Sequence, residues 1–459
     1  MADGNEREGL NSRLGFLLLS AGCAIGLGNV WKFPYIVGQN GGGFFVLLYV
    51  FFLVVLGIPV LTMEFSIGRA SRRSPLMMFR PLDPEGSLWH LRGWLCMAGC
   101  FLLMSFYAVV AGWMLYYLGM ELTGGLSVSG VSQLWDVFDG MVADWRLLLG
   151  LTAVVVFGGF LICSFGLEKG LERVMKPMML LMLLILVCLS VYCLTLDGAS
   201  SGIDFYLGVH PDVVNDIGAW NICVAAMGQA FFTLSVGIGS MAIFGSYVDK
   251  RHTLLGEASR VALIDTLIAI MAGLLIFPAC FTYGVDVGSG PPLIFITLPS
   301  VFNQMPGGQV FGAFFFLFMC LAAFSTCLTL FEAQISCVRE RLGCSRRKVC
   351  AMVAPLMFLL TIPCILGYSI LNGFQPLGPG TSVQDLEDFV VSYLLLPGGA
   401  LVFAVFCTSR YGWGWKRFRQ EANTGKGPRI QPWMRIYLTY LLPLIIAVLL
   451  VTGLVGRLT

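Results

Sequence analysis

Two long apolar stretches of this chain break near their centres into glycine-rich polar runs. The first run is Gly22-Cys23-Ala24-Ile25-Gly26-Leu27-Gly28-Asn29, inside a stretch from about Leu14 to Val37. The second is Thr233-Leu234-Ser235-Val236-Gly237-Ile238-Gly239, inside a stretch from about Trp220 to Tyr247. Only 12% of the 459 residues are charged and 57% are hydrophobic, against about 25% charged in soluble domains, so the chain is an integral membrane protein. Lipid offers backbone N–H and C=O groups no partners, and unwound backbone survives at membrane depth only against protein or a watery cavity. Two such breaks, each opening one half of a chain, are the pattern of a secondary transporter that binds substrate and ions at the breaks.

Runs of about 20 apolar residues each cross a bilayer. Eleven lie near 13–37, 43–69, 91–121, 146–164, 174–195, 219–248, 254–282, 309–337, 349–367, 385–407 and 433–455. The expected fold is all-α: a tail at 1–12, a first repeat of five spans over 13–195, an outer loop at 196–218, and a second repeat of five over 219–408. An inner loop at 409–432 and a last helix in 433–459 follow. Five is odd, so the second repeat runs through the membrane inverted, and the broken helix leads each repeat. The stretch Gly290-Pro291-Pro292-Leu293-Ile294-Phe295, followed by Met305-Pro306-Gly307-Gly308, reads as a re-entrant outer loop within 284–307. The basic, hydrophilic run from Lys416 to Arg429 reads as a solvated connector.

Basic residues set the sidedness. One set of loops carries Arg69 to Arg92, Lys169 to Lys176, Lys250 and Arg251, Arg339 to Lys348, and Arg410 to Arg435; the other keeps Lys32, Arg146 and Arg457. The positive-inside rule then puts the N-terminus in the cytoplasm and the C-terminus outside, in a cell (inner) membrane. No cleavable signal is evident. The 15 cysteines fall almost wholly within spans and form no C-x-x-C pair, so they read as packing residues. The three histidines, His90, His210 and His252, sit at span ends or in loops. An intramembrane enzyme, with no catalytic residue to name, is therefore a poor candidate. Gly26-Leu27-Gly28 follows no strand, which removes a nucleotide-binding reading; nothing in the chain suggests a nucleic-acid partner.

Gly22 to Pro34 (GCAIGLGNVWKFP), Asn40-Gly41-Gly42-Gly43, Gly57-Ile58-Pro59 and Glu64 resemble the opening of the neurotransmitter:sodium symporters. Gln229 to Ser235 (QAFFTLS) and the stretch Gly290 to Gly308 resemble later motifs of that family. The resemblance covers the chain to about residue 410, and the eleven-span form is similar to the shorter bacterial members that carry hydrophobic and aromatic amino acids. It implies a leucine-transporter-like fold and two sodium ions. The first would take a carbonyl of Ala24 with side-chain oxygens of Asn29, Thr233 and Asp265, completed by the substrate carboxylate. The second would take carbonyls of Gly22, Ile25 and Ala322 with the hydroxyls of Ser325 and Thr326. Taken alone, those hydroxyls would sooner be read as bonding back to carbonyls one turn away.

The same resemblance implies that the substrate carboxylate meets the N–H groups of Leu27 and Gly28 and the hydroxyl of Tyr107. Its ammonium would meet carbonyls of Ala24, Phe232 and Thr233 and the Ser235 hydroxyl, and its side chain Leu103, Phe232, Ile238 and Leu330. Ile238 is expected to set the size limit. Monoamine carriers of the family resemble this motif with an aspartate in the place of Gly26; with glycine, the substrate should bring its own carboxylate. Lys32 and Asp388 resemble the outer gate, where the family usually has arginine. Arg7, Glu340 and Tyr247 resemble the inner gate, where its acid is commonly aspartate. Either pair alone could be a surface salt bridge. Asp265 stands where chloride-requiring members resemble an asparagine, which implies chloride independence. Glu64, inside the second span, should accept hydrogen bonds from the unwound sixth helix. In the fifth span Pro177 follows Gly170 by seven residues rather than the family's ten, leaving its opening point unassigned. The reading is sodium-coupled symport of a hydrophobic L-amino acid by alternating access; the alternative is an amino-acid sensor that keeps the transporter fold.

Overall fold

A computed structural model describes residues 13–128, 130–285, 287 and 293–458. Among the described residues, nine helices are long and apolar enough to cross a membrane: Gly43–Ser71, Trp89–Thr123, Trp145–Ser164, Leu167–Leu194, Leu254–Thr282, Gly308–Leu342, Arg346–Gly367, Val383–Thr408 and Met434–Val455. A tenth crossing is the pair Gly15–Ala24 and Gly28–Gln39, bent by 52° at the break. The stretch expected to be the sixth span holds the shorter helices Ala219–Thr233 and Ser240–Gly245, parted by six residues that are not helical. The fold is all-helical, with no named strand among the described residues.

Both breaks fall within the glycine runs, and side chains meet several of the backbone groups freed there. In the sixth span Ser235 (φ 50°), Gly237 (φ 109°) and Gly239 (φ 82°) adopt left-handed conformations that end the helix. Gly237 also admits no side chain, because a Cβ there would stand 2.0 Å from the Leu396 carbonyl oxygen. Glu64 answers the loose donors. Its Oε2 accepts from the Gly237 N–H at 3.0 Å and its Oε1 from the Met241 N–H at 3.1 Å. Arg92 Nη2 donates to the Gly237 carbonyl at 3.0 Å. In the first span the Gly28 carbonyl, just past the break, accepts from Gln229 Nε2 at 3.2 Å, about one turn before the break of the sixth.

Leu293–Thr297 and Leu298–Phe302 form one buried helical piece, and the Phe295 ring packs against Trp31, Trp113, Tyr117 and Phe138. The loop 196–218 carries the helices Ala199–Leu207 and Pro211–Ile217. The fifth span begins in a widened π-helical turn, Leu167–Glu172, preceded by Gly166 at φ 106°. Such turns are weak points in a helical ladder, and this one lies ahead of Pro177.

One expectation fails. The run from Lys416 to Arg429 is not a solvated connector: Trp415–Ala422 is a helix whose Phe418 and Ala422 are fully buried. Arg69, 1% exposed, holds it down. Its Nε meets Glu421 Oε1 at 2.7 Å, its Nη2 meets the Glu421 carbonyl, and its Nη1 meets the His252 carbonyl at 2.9 Å.

Candidate functional site

The breaks face each other across a small cavity of about 30 Å³. Its wall includes Ala24, Gly26 and Gly28 from the first span, Leu103 and Tyr107 from the third, and Phe232 and Ser235 from the sixth. Cys23, Thr326 and Leu396 complete it. No charged side chain is in that wall. A void of this size holds about one water, so an amino acid enters only if the walls part.

Tyr107 Oη accepts from the Leu27 N–H at 2.9 Å. That leaves the phenolic proton to be donated to an anion in the cavity. The Ser235 hydroxyl donates to the Cys23 carbonyl at 3.4 Å, and the Ser235 N–H takes the Phe232 carbonyl at 3.0 Å. Of the residues expected to seat an amino-acid side chain, Leu103 and Phe232 line the cavity, and Ile238 and Leu330 do not. Ile238 is fully buried against Gly99, one helical turn from Leu103: a Cβ on Gly99 would meet Ile238 Cγ2 at 3.2 Å. Leu330 is fully buried one turn beyond Thr326. Ile238 therefore lies outside the wall of the closed cavity. Leu396, which closes the wall in its place, carries no sequence mark to separate it from a lipid-facing leucine.

Two oxygen clusters flank the cavity. In the first, Asn29 Nδ2 donates to Asp265 Oδ1 at 2.7 Å and Thr233 Oγ1 donates to Asp265 Oδ2 at 2.9 Å. All three side chains are buried, at 0–1% exposure. Tyr49 Oη lies 3.5 Å from Thr233 Oγ1 and was not singled out in the sequence. In the second, Thr326 Oγ1 lies 3.3 Å from the Gly22 carbonyl oxygen and 3.2 Å from that of Ile25. Ser325 Oγ lies 3.4 Å from the Ile25 carbonyl and 2.8 Å from that of Ala322. Gly22 and Ile25 end the inner half of the first span, where carbonyls lack helical partners and the helix dipole is negative. The set fits a hard monovalent cation: carbonyl and hydroxyl oxygens without nitrogen or sulfur are the ligands of such ions. Among the described residues no group of three or more His, Cys, Asp and Glu stands ready for a transition metal.

The two residues expected to form an outer gate meet. Lys32 Nζ lies 3.5 Å from Asp388 Oδ2 and 3.3 Å from Ser392 Oγ, which donates to Asp388 Oδ1 at 2.8 Å. The same ammonium sits 3.7 Å from the centre of the Phe232 ring. Glu340 accepts from Arg73 Nη1 at 2.8 Å and from the Ser74 N–H at 2.7 Å. Tyr247 donates to Glu332 at 3.0 Å, and Glu332 is further paired with Arg346. Glu332 lies about two turns before Glu340 in the helix Gly308–Leu342. Arg7 lies outside the described residues.

The model of the sodium:neurotransmitter symporter family matches residues 7–141 and 138–457. A sodium-dependent transporter of Bacillus subtilis, YhdH, is 36% identical over 395 residues, 86% of each chain. The sodium-dependent serotonin transporter of Drosophila melanogaster is 26% identical, over 98% of this chain and 77% of its own. The crystal structure of MhsT in complex with L-phenylalanine superimposes with a TM-score of 0.86 at 35% identity, covering 97% of this chain and all of that one.

Proposed function

We propose that this chain, which belongs to the sodium:neurotransmitter symporter family and is a sodium-dependent symporter, carries a hydrophobic L-amino acid, with two sodium ions and without chloride. The observation that carries this is the cavity wall: Leu103, Phe232 and Leu396 supply apolar surface, and its polar side chains are neutral hydroxyls with the thiol of Cys23. Burying a charged side chain there without a partner is costly. Gly26 contributes no carboxylate, so the substrate brings one, to meet the Tyr107 hydroxyl and the N–H groups of Leu27 and Gly28. The relative MhsT, crystallised with L-phenylalanine, supports that substrate class.

The first sodium ion would sit among Ala24, Asn29, Thr233 and Asp265, and the second among Gly22, Ile25, Ala322, Ser325 and Thr326. A substrate carboxylate beside the first ion makes the two bind cooperatively. Two sodium ions and a zwitterion bring +2 into a low-dielectric site, and ionised Asp265 offsets part of it from within the protein. The N-terminus would face the cytoplasm of a cell whose inner membrane holds the chain. Uptake of each of the twenty amino acids into proteoliposomes, with and without a sodium gradient, tests the reading. Leucine, phenylalanine or a similar side chain should accumulate only with sodium. Glutamate or lysine competing as well as leucine would overturn the pocket assignment, and binding without accumulation would make the chain a sensor.

A further inference from the structure

Far from the cavity, a groove of about 590 Å³ lies between the helix Trp415–Ala422 and the segment that follows it. Lys416, Arg419 and Arg429 line it, with Asn423 and Ile430, and no acidic side chain is in its wall. The charge around it is one-sided. Residues 409–435 hold seven Lys and Arg and one acid, Glu421, and that acid is already paired with buried Arg69.

The groove is built rather than incidental. Asn423 grips Ile430 by both backbone groups, with Nδ2 donating to its carbonyl at 3.0 Å and Oδ1 accepting from its N–H at 2.7 Å. Arg419 Nε donates to the same carbonyl at 3.0 Å, which fixes the guanidinium plane and leaves its two terminal amino groups for an anion. Just past the groove the eleventh span begins, and Trp433, Ile436 and Tyr440 are 72%, 72% and 71% exposed. Their spacing of three and four puts them on one helix face. An exposed tryptophan and tyrosine at a span end mark the headgroup level of the bilayer. A cationic groove therefore opens beside an apolar stripe at the membrane interface.

We propose that this groove binds the phosphodiester headgroup of an anionic phospholipid from the adjoining leaflet, with the acyl chains lying along Trp433, Ile436 and Tyr440. A free phosphate would meet the same basic groups and have no use for the stripe.

The test is native mass spectrometry of the full chain in micelles that hold phosphatidylglycerol and phosphatidylcholine in equal amounts. The parent should retain phosphatidylglycerol over phosphatidylcholine. Lys416→Gln with Arg429→Gln, both at exposed side chains, should weaken that retention about 25-fold, since each basic group at an anionic surface is worth about fivefold. Arg410→Gln with Lys426→Gln removes the same charge outside the groove wall and should leave retention at the parent level. Trp433→Ala with Ile436→Ala should weaken retention of the lipid, and millimolar inorganic phosphate should not displace it. Equal loss in the two charge pairs, or none in the groove pair, would overturn the site. Displacement by phosphate, or indifference to the loss of Trp433 and Ile436, would overturn the lipid as its occupant.

Discussion

Gly26→Ala adds one methyl group where the substrate and the second ion cluster meet. A Cβ at this position would stand 2.3 Å from Tyr107 Oη and 2.6 Å from Thr326 Oγ1. Both distances lie below the 3.0 Å that Cβ atoms essentially never breach, so something must shift. Gly26 is not among the left-handed glycines, so alanine brings no backbone strain and the effect is steric alone. Neither neighbour retreats freely. Tyr107 ends a buried ring held by the Leu27 N–H at 2.9 Å, and Thr326 Oγ1 faces the Gly22 and Ile25 carbonyls. Overpacking of this kind costs about 1–3 kcal/mol, which is roughly 5- to 150-fold in a binding constant. The loss should fall on amino acid and sodium together, because one methyl touches both sites. Equilibrium binding of radiolabelled phenylalanine and leucine across a range of sodium concentrations reads both. In a Tyr107→Phe background the hydroxyl is gone, so the second substitution should cost less than it does in the parent. A well-folded Gly26→Ala protein with the parent's affinity and sodium dependence would refute the packing argument.

Removing the Ser325 and Thr326 hydroxyls together takes away the side-chain oxygens of the second cluster, and should raise the sodium concentration for half-maximal uptake in proteoliposomes. Asp265→Asn should impair uptake in gluconate buffer and recover part of it when chloride is supplied, whereas the parent should transport equally in both; a parent that needs chloride would contradict the role of Asp265. Arg69→Met leaves Glu421 and two loop carbonyls without their partner, and should cost about 3 kcal/mol of stability, read as a lower midpoint of thermal unfolding. Pairing it with Glu421→Gln should recover part of that loss.

The breaks and the spans were legible because lipid makes the backbone rules strict. Glycines and an asparagine together at mid-membrane weaken a helix that packing alone would keep intact, whereas Ser325 and Thr326 alone read as hydroxyls bonding back to their own helix, and only the family resemblance singled them out. Glu64 was legible because a carboxylate inside a span must have donors, and the broken helix has donors to spare. What escaped was decided by packing. Leu396 looks like any other leucine, and only the fold puts Ile238 outside the wall of the closed cavity. The hydrophilic run after Lys416 hides Phe418 and Ala422 at helical spacing among enough charges to pass for a loop. On the inner side, Glu332 and Arg346 are separated by a helix end and a turn, so only the fold shows that Tyr247 joins them.

The Phe232 ring lines the cavity and has the Lys32 ammonium 3.7 Å from its centre. One ring thus touches both the proposed seat of the cargo and the pair proposed as its latch. That ion pair is long and about one-third exposed, and such pairs contribute little by themselves. The ring face supplies a second hold on the cation, available only while the ring keeps its angle. A ligand that tilts the ring can thus sit firmly in the cavity and still leave the latch open. Residence and passage become separate properties, the first set by the pocket and the second by the ring. Ranking compounds by how tightly they bind would then mix cargo with plugs, and only flux across the membrane would tell them apart.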